Sequence, residues 1–582
     1  MNMKHFFIID GDRFDFVVVG SGSAGAIVAS RLSEVPQFKV LLIEAGGDPP
    51  ITSVVPGLFP LLQNTEYDWS YRAYTDEGIG QAHPKRMIPY IRGKMLGGCS
   101  SINYLMYIRG VPQDYDEWDK VAPGWNWANV LYYFKKLEGM TDKKLFENPY
   151  NAYLHSEKGP VKISRKVNLA STNFIDDIKL NSYEEMGINR LLENNGAEIF
   201  GAARPHMNIY NGRRYSTAEA YLKRGKKRLN LKVAKYSTVT RVLIDPDRLK
   251  AYGVEVSTAN KNIIKVYARN EVILSAGVFN SPKILLQSGI GPIEELSRLG
   301  IKTVVDLPVG RNFQDHQVLL LSMKGKTGLS TSVQNLLLVP NLGSIPIPIQ
   351  SGNFRLNSSD APYPHFLQPH FQFFNMYVGA AASPAGFVGC KMIANYDDDF
   401  CASLAESNLL NEVDLILLIL LHPLSRGEVT LRSKDPLDDP IINLGYFRNE
   451  YDLTVAESGL KFMNTLINTT YFREVDGSIA KLRVKGCSGI KWGSDAYWRC
   501  YARNVVTSMQ HGVGTCSMGP HGVVNERLKV HIVDGLRVVD ASVIPEVPSG
   551  NTNVPVMMVG EKAADMIKED YGKSRTRRIF AI

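Results

Sequence analysis

Residues 14–47 read FDFVVVGSGSAGAIVASRLSEVPQFKVLLIEAGG. A hydrophobic run, Phe16–Val19, meets Gly20-x-Gly22-x-x-Gly25. An apolar-faced segment, Ala26–Leu32, follows, then a second hydrophobic run, Val40–Ile43, ending at Glu44. The order is strand, tight turn, helix and strand, with an acid at the tip of the second strand. Gly20 permits the turn, Gly22 lets backbone approach a pyrophosphate, and Gly25 lets helix and strand pack closely; Ser23 and Ala24 complete the turn. Free N–H groups and the dipole at the helix start attract phosphate. Glu44 stands 24 residues after Gly20, close to the spacing of a carboxylate that accepts ribose hydrogen bonds. Glycine spacing alone is weak in a chain with 49 glycines among 582 residues, so the agreement of strands, helix and acid carries the reading of a dinucleotide site. A carboxylate there repels the 2′-phosphate of NADP and suits NAD and FAD alike.

A chain of 582 residues is too long for one compact core and predicts two or more domains. Its composition, 44% hydrophobic and 21% charged, is that of an ordinary globular protein. The net charge of +8 is spread along the chain apart from Lys573, Arg575, Arg577 and Arg578, read as a solvated tail. Neither a nucleic-acid nor a membrane partner is therefore expected. The apolar run Leu415–Leu421 falls far short of the roughly 18 residues of a membrane helix. The start, MNMKHFFIID, is too short in apolar residues for a signal-peptide core. Six cysteines make no disulfide scaffold at this length, and neither CxxC nor HExxH occurs, so no metal is expected. His365 and His370 read as packing or surface residues. Sequons at Asn357 and Asn468 are compatible with secretion.

Gly46–Ile91 is irregular and rich in Pro and Gly, with Trp69 and several tyrosines, and reads as a cover over something apolar. Ile263–Ser275 reads as a strand leading into a helix at Ser281–Gln287, with Ser281 as cap and Pro282 in the first turn. Residues 317–420 alternate apolar and polar with many aromatics, which suits an antiparallel sheet. From Gly535 the pattern returns to strand then helix. The expected fold is α/β: a Rossmann-like domain assembled from 12–50, 92–110, 228–318 and 530–572, and a lid over 51–91. A substrate domain of α+β type, built on an antiparallel sheet, is expected from 155–227 and 319–529.

Five further stretches stand in order: RGKMLGGCSSINYLMYIRG (92–110), SAGVFNSPKILLQSGIGP (275–292), GRNFQDH (310–316), HGVGTCSMGP (511–520) and LRVVDASVIPEVPSGNTNVPVMMVGEKAAD (536–565). With the N-terminal fingerprint this set resembles the glucose–methanol–choline (GMC) oxidoreductases, FAD enzymes that oxidise alcohols, over about residues 12–570. Gly486–Arg503 is most similar to the arthropod glucose-dehydrogenase-like branch. The resemblance implies cofactor contacts from Arg92, Gly97, Ser100 and Asn103, adenine held by the Val239 backbone, Asp540 and Ala541 by the ribityl and phosphate groups, and Asn553 and Val554 near the ring. It also implies His511 as the active-site histidine and Asn553 as its partner. A histidine titrates near neutral pH and can take a hydroxyl proton, and an amide can donate to the developing alkoxide. On that basis kcat/KM should rise with pH through the histidine range.

Departures from the family pattern matter too. Some relatives bond flavin covalently through a histidine at the position of Ile102, so FAD is expected to be non-covalent here. Tyr104 stands where many relatives have Gly, and Gly512 replaces a proline frequent in the arthropod branch. Cys487 and Cys500, 13 residues apart about a WGSD turn, resemble a paired position of that branch and are expected to be joined in an oxidising compartment. With that pairing goes a lean towards secretion, against the missing signal peptide. Tyr104, Leu105, Phe371, Phe373, Phe374, Tyr377 and Trp492 are expected to wall a site for a small apolar alcohol, benzylic or cyanohydrin-type, with the reduced flavin reoxidised by oxygen or another acceptor. Rival readings are a hydroxynitrile lyase that uses FAD structurally, a glucose or sterol dehydrogenase, a non-enzymatic relative and a generic NAD dehydrogenase.

Overall fold

In the computed structural model, which describes residues 3–165, 170–326, 350–357, 368–378, 387 and 389–573, the strand Arg13–Val19 lies inside a seven-stranded mixed sheet. Val17–Val19 and Val40–Ile43 are buried on both faces, as sequence runs of this kind demand. Strands Leu231–Ala234, Val40–Ile43, Arg13–Val19, Ile263–Leu274 and Leu536–Val538 run parallel. An antiparallel hairpin, Thr238–Asp245 and Lys250–Ser257, extends the sheet beyond Ile263–Leu274. Register sets Val19 beside both Ile43 and Leu274, so the carboxyl ends of three strands open on one edge. Ligands of such sheets bind at that edge.

The chain returns to this sheet at its far end. Helix Asn553–Asp570 packs on helix Gly25–Leu32, and a Cβ on Gly560 would come within 3.0 Å of the Ala24 backbone. Buried Glu561 ties the two helices by pairing with Arg31 at 2.7 Å and accepting from the Tyr221 hydroxyl at 2.6 Å. A sequence separation of 530 residues is thus closed by close helix contact and one buried carboxylate.

The second sheet is antiparallel, in the order Ser478–Ile479, Gln317–Gly325, Glu412–Leu420, Phe371–Val378, Gln350–Phe354, Gly201–Ala203, with Thr507–Ser508 also on Gln317–Gly325. The apolar run 415–421 is therefore mostly strand, and among the described residues no helix is long and apolar enough to cross a membrane. Alternation divides its aromatics. Phe371 and Phe373 join the core that includes residues of helices Glu450–Asn464 and Asp495–Val505, while Phe374 joins Val318, Leu105 and Met106 on the other face. Tyr71–Tyr74 and Met87–Tyr90, from the expected cover, form a hairpin in a separate four-stranded sheet.

One helix starts earlier than its sequence predicts. It runs Gly277–Gln287, so Ser281 is internal and does not cap it. The Ser281 hydroxyl donates instead to Asp540 Oδ2 at 2.6 Å, and the Gly277 N–H donates to the same oxygen at 2.9 Å. A carboxylate from a distant strand end takes over the cap.

His365, the sequon residues Ser358 and Ser359, and Arg575, Arg577 and Arg578 lie outside the described residues. His370 accepts the Leu356 N–H at 3.2 Å, a packing role.

Candidate active site

A cavity of about 310 Å³ opens at the carboxyl edge of the first sheet and runs to the second. At its near end the three fingerprint glycines divide by what surrounds them. Gly20 has φ +91°, and a Cβ there would meet the Ser275 carbonyl at 2.4 Å. A Cβ on Gly25 would meet the Gly20 carbonyl at 2.0 Å, so only glycine lets helix and strand touch. A Cβ on Gly22 would meet nothing within 4 Å, which leaves bare backbone facing the cavity. Glu44 is buried beside this turn. Its carboxylate accepts from the Ser21 N–H at 2.9 Å, the Ser21 hydroxyl at 2.7 Å and the Gly46 N–H at 2.9 Å. Burial raises its pKa, and these hydrogen bonds oppose the rise.

Of the residues expected to hold the cofactor, Gly20, Gly22, Ser23, Ala24, Glu44, Arg92, Asn103, Val239, Asp540, Ala541 and Asn553 line the cavity. Gly25, Gly97, Ser100 and Val554 do not; they stand behind it. Gly97, at φ +89°, donates its N–H to the Ser21 carbonyl at 2.9 Å, and the Ser100 hydroxyl donates to the Gly97 carbonyl at 2.6 Å. These two shape the wall and leave the contact to Gly98 and Cys99. Val554 is buried in the first turn of the closing helix.

Five buried polar atoms on lining residues have no partner: Gln63 Oε1, Arg92 Nε, Ser275 Oγ, Asn551 Oδ1 and Asn553 Nδ2. Arg92 Nε, Ser275 Oγ and Asn553 Nδ2 are donors that with the bare Gly22 backbone suit phosphate and ring oxygens, and the Glu44 carboxylate is an acceptor for ribose hydroxyls, so the lining fits a dinucleotide.

At the other end stands His511, 9% exposed and facing the cavity. Its backbone N–H donates to Asp315 Oδ1 at 2.8 Å, and Asp315 accepts from the Tyr446 hydroxyl at 2.7 Å. Its ring has two partners: Asn551 Nδ2 lies 3.1 Å from Nε2, and His316 Nδ1 lies 2.9 Å from Nδ1. An amide nitrogen can only donate, so Nε2 is the accepting nitrogen and Nδ1 carries the proton, shared with His316. Desolvation, then the Arg92 guanidinium, pulls the His511 pKa down to about 3. His316, wholly enclosed, is held well below the usual histidine range by burial and then by His511.

The partner of His511 is therefore Asn551 and not Asn553. Asn553 begins the helix, and its Oδ1 turns to accept from the Ser23 hydroxyl at 2.7 Å, joining the helix to the dinucleotide turn. Asn551 sits two residues earlier, in the loop, and reaches the histidine. Pro555 carried the signal that could have separated them. Proline favours the first helical turn, which puts Asn553 on the helix and leaves Asn551 before it.

The aromatic wall is smaller than the sequence predicts. Tyr104, Leu105 and Phe374 line the cavity, with Ile102, Met106, Val318, Leu417 and Met509. Phe371 and Phe373 point to the helix-covered face by alternation, Tyr377 lies near Lys179, and Trp492 packs on Tyr497 and Trp498. Sequence reasoning missed Asn551, His316 and Gln63; the last lines the cavity from the cover segment.

This architecture and pocket define a flavoprotein oxidoreductase built on two seven-stranded sheets. Models of the GMC oxidoreductase family match residues 14–318 and 423–560. The chain belongs to the GMC oxidoreductases, FAD-dependent enzymes that act on CH–OH donors. It is 38% identical to ecdysone oxidase of Bombyx mori, over 98% of this chain and 84% of that one. It is 35% identical to the glucose dehydrogenase (FAD, quinone) of Drosophila melanogaster, over 96% and 87%. Among solved structures, a variant of the Aspergillus oryzae formate oxidase superposes with a TM-score of 0.82 at 28% identity, covering 97% of this chain and all of that one. The family and the arthropod branch expected from the motifs are both borne out.

Proposed function

We propose that this enzyme oxidises an alcohol carried on an apolar skeleton, with the neutral His511 imidazole taking the hydroxyl proton at Nε2. The observation that carries the reading is the pairing of that nitrogen with Asn551 at one polar focus of a largely apolar wall. The bare Gly22 backbone, Glu44, Val239, Asp540 and Asn553 would hold FAD, which when bound supplies the acceptor for the carbinol hydride. Ile102 offers no nucleophile, which supports non-covalent binding.

The chain's own residues do the rest. His316, by sharing the Nδ1 proton, keeps the lone pair on Nε2. Asn551 donates towards the place where an alkoxide develops, and such a donor contributes most when desolvated. Phe374, Val318, Leu417 and Met509 exclude water and offer a sugar few hydroxyl partners. Relatives bear the names ecdysone oxidase and glucose dehydrogenase, so the test sets both chemistries against a benzylic alcohol. With benzyl alcohol, ecdysone and glucose as sole donors, each apolar alcohol is expected to exceed glucose in kcat/KM. Equal or faster turnover of glucose overturns the substrate assignment.

A further inference from the structure

One polar pair in the cavity has no part in this chemistry. Gln63 comes from the cover segment, just after the turn Pro56–Leu62, and lines the cavity although it is only 5% exposed. Its side chain faces the phenol of Tyr104, also a lining residue, and eases the deprotonation that burial opposes. Gln63 Oε1 is buried without a partner. The Tyr104 phenol has an O–H proton to give. No recorded hydrogen bond joins this pair to His511, Asn551 or His316.

The pair is also held still. Tyr104 packs on Phe59 with ring centres 4.4 Å apart and planes tilted by 59°. The residue before it is clamped by Arg214, whose two terminal nitrogens donate to Asn103 Oδ1 and to the Asn103 carbonyl, each at 2.7 Å. The residue after it, Leu105, takes a left-handed φ of +71°, stabilised by its N–H donating to Asn103 Oδ1 at 3.1 Å. A non-glycine residue in that region is strained and persists only where its surroundings hold it. Two loops are thus fixed so that one free acceptor and one free donor stand side by side in an apolar wall.

A hydroxyl group satisfies both at once, donating to Gln63 Oε1 and accepting from the Tyr104 O–H. We propose that Gln63 and Tyr104 form a second polar anchor, which selects alcohols bearing another hydroxyl across an apolar spacer from the carbinol that is oxidised. The inference rests on the alcohol-oxidation reading of the same cavity. A buried acceptor left empty by the wrong ligand costs affinity, so such a pair discriminates against alcohols that lack the second hydroxyl.

The test uses the FAD-loaded enzyme and matched pairs of alcohols: 4-hydroxybenzyl against benzyl alcohol, 4-(2-hydroxyethyl)benzyl against 4-ethylbenzyl alcohol, and 1,8-octanediol against 1-octanol. For at least one pair the ratio of kcat/KM, diol over mono-ol, is expected to be about 10 or more. That ratio is expected to collapse towards 1 in both Gln63→Leu and Tyr104→Phe, whatever happens to the absolute rates. Tyr104→Phe keeps the ring on Phe59, so it guards against a folding defect. Ratios near 1 for every pair in the wild type, or ratios unchanged in both variants, overturn the anchor. The same alcohols are also titrated under anaerobic conditions and followed by flavin absorbance, in wild type and variants. If none reduces the flavin, the oxidation reading fails. A diol preference in the binding titration that disappears in the variants then still upholds the anchor, and its absence refutes it.

Discussion

A histidine serves as a base only in its neutral form, and burial decides where that form begins. Desolvation and Arg92 bring His511 down to about 3, so it is neutral across the whole range in which the enzyme is handled. Protonation, and with it loss of activity, comes only as pH falls towards that value. The rise in kcat/KM expected in the histidine range is therefore displaced to acid pH. A profile flat from about pH 6 to 9 is predicted, and a clear ionisation near 6.5 in kcat/KM would contradict this environment. Removing the group is predicted to cost far more than titrating it. His511→Ala should slow flavin reduction by about 10²–10⁴-fold, while acid precipitation still releases FAD from it as from the wild type. Asn551→Ala should cost on the order of 10²-fold in the same step, as loss of one oxyanion donor. Asn553→Ala should act mainly on FAD retention, through the lost bond to Ser23. If the two asparagine variants traded these effects, the pairing drawn from the structure would be wrong.

At the scale of elements, local periodicity was legible and long-range substitution was not. Strand, helix and strand at 13–43 follow from apolar runs and glycine spacing, because every determinant lies within the segment. The start of helix Gly277–Gln287 was missed because its capping carboxylate, Asp540, comes from a strand 263 residues away. Aromatics in 371–378 were credited to the site as a group, whereas the period of two sends alternate rings to opposite faces. The disulfide Cys487–Cys500, expected from the resemblance, is formed, with Cα atoms 5.8 Å apart. A second, Cys390–Cys401, gave no sequence signal, since nothing local announces that the short π-helical segment Cys390–Ala394 and the first turn of helix Asp398–Asn408 meet. Loops of 11 and 13 residues are each predicted to contribute about 3 kcal/mol. Replacing Cys487 and Cys500 together by serine should lower the thermal midpoint, and peptide mapping should find only Cys99 and Cys516 as free thiols. Free thiols at all six positions in protein made in an oxidising compartment would contradict both bridges.

Across the whole molecule, the cofactor fold is built from pieces that only tertiary contact unites. The strand Leu536–Val538 joins a sheet begun at Arg13, and helix Asn553–Asp570 packs on that sheet's first helix; the motifs betrayed this because they carry the site at every return. The partner of His511 was harder to read. The loop 549–553 holds asparagines two residues apart, and which one meets the histidine depends on where a helix begins. The union brings a dinucleotide turn, a neutral buried histidine and an apolar wall into one cavity, and the account stands or falls on what that cavity does to a carbinol. The most direct test is anaerobic stopped-flow reduction of the bound FAD by benzyl alcohol and by its α,α-dideuterated form. A primary isotope effect of about 3 or more on the bleaching rate is predicted, as expected when a C–H bond breaks in the step observed. Failure of either alcohol to bleach the flavin, or identical rates with both, would contradict hydride transfer from the carbinol carbon as the reaction of this site.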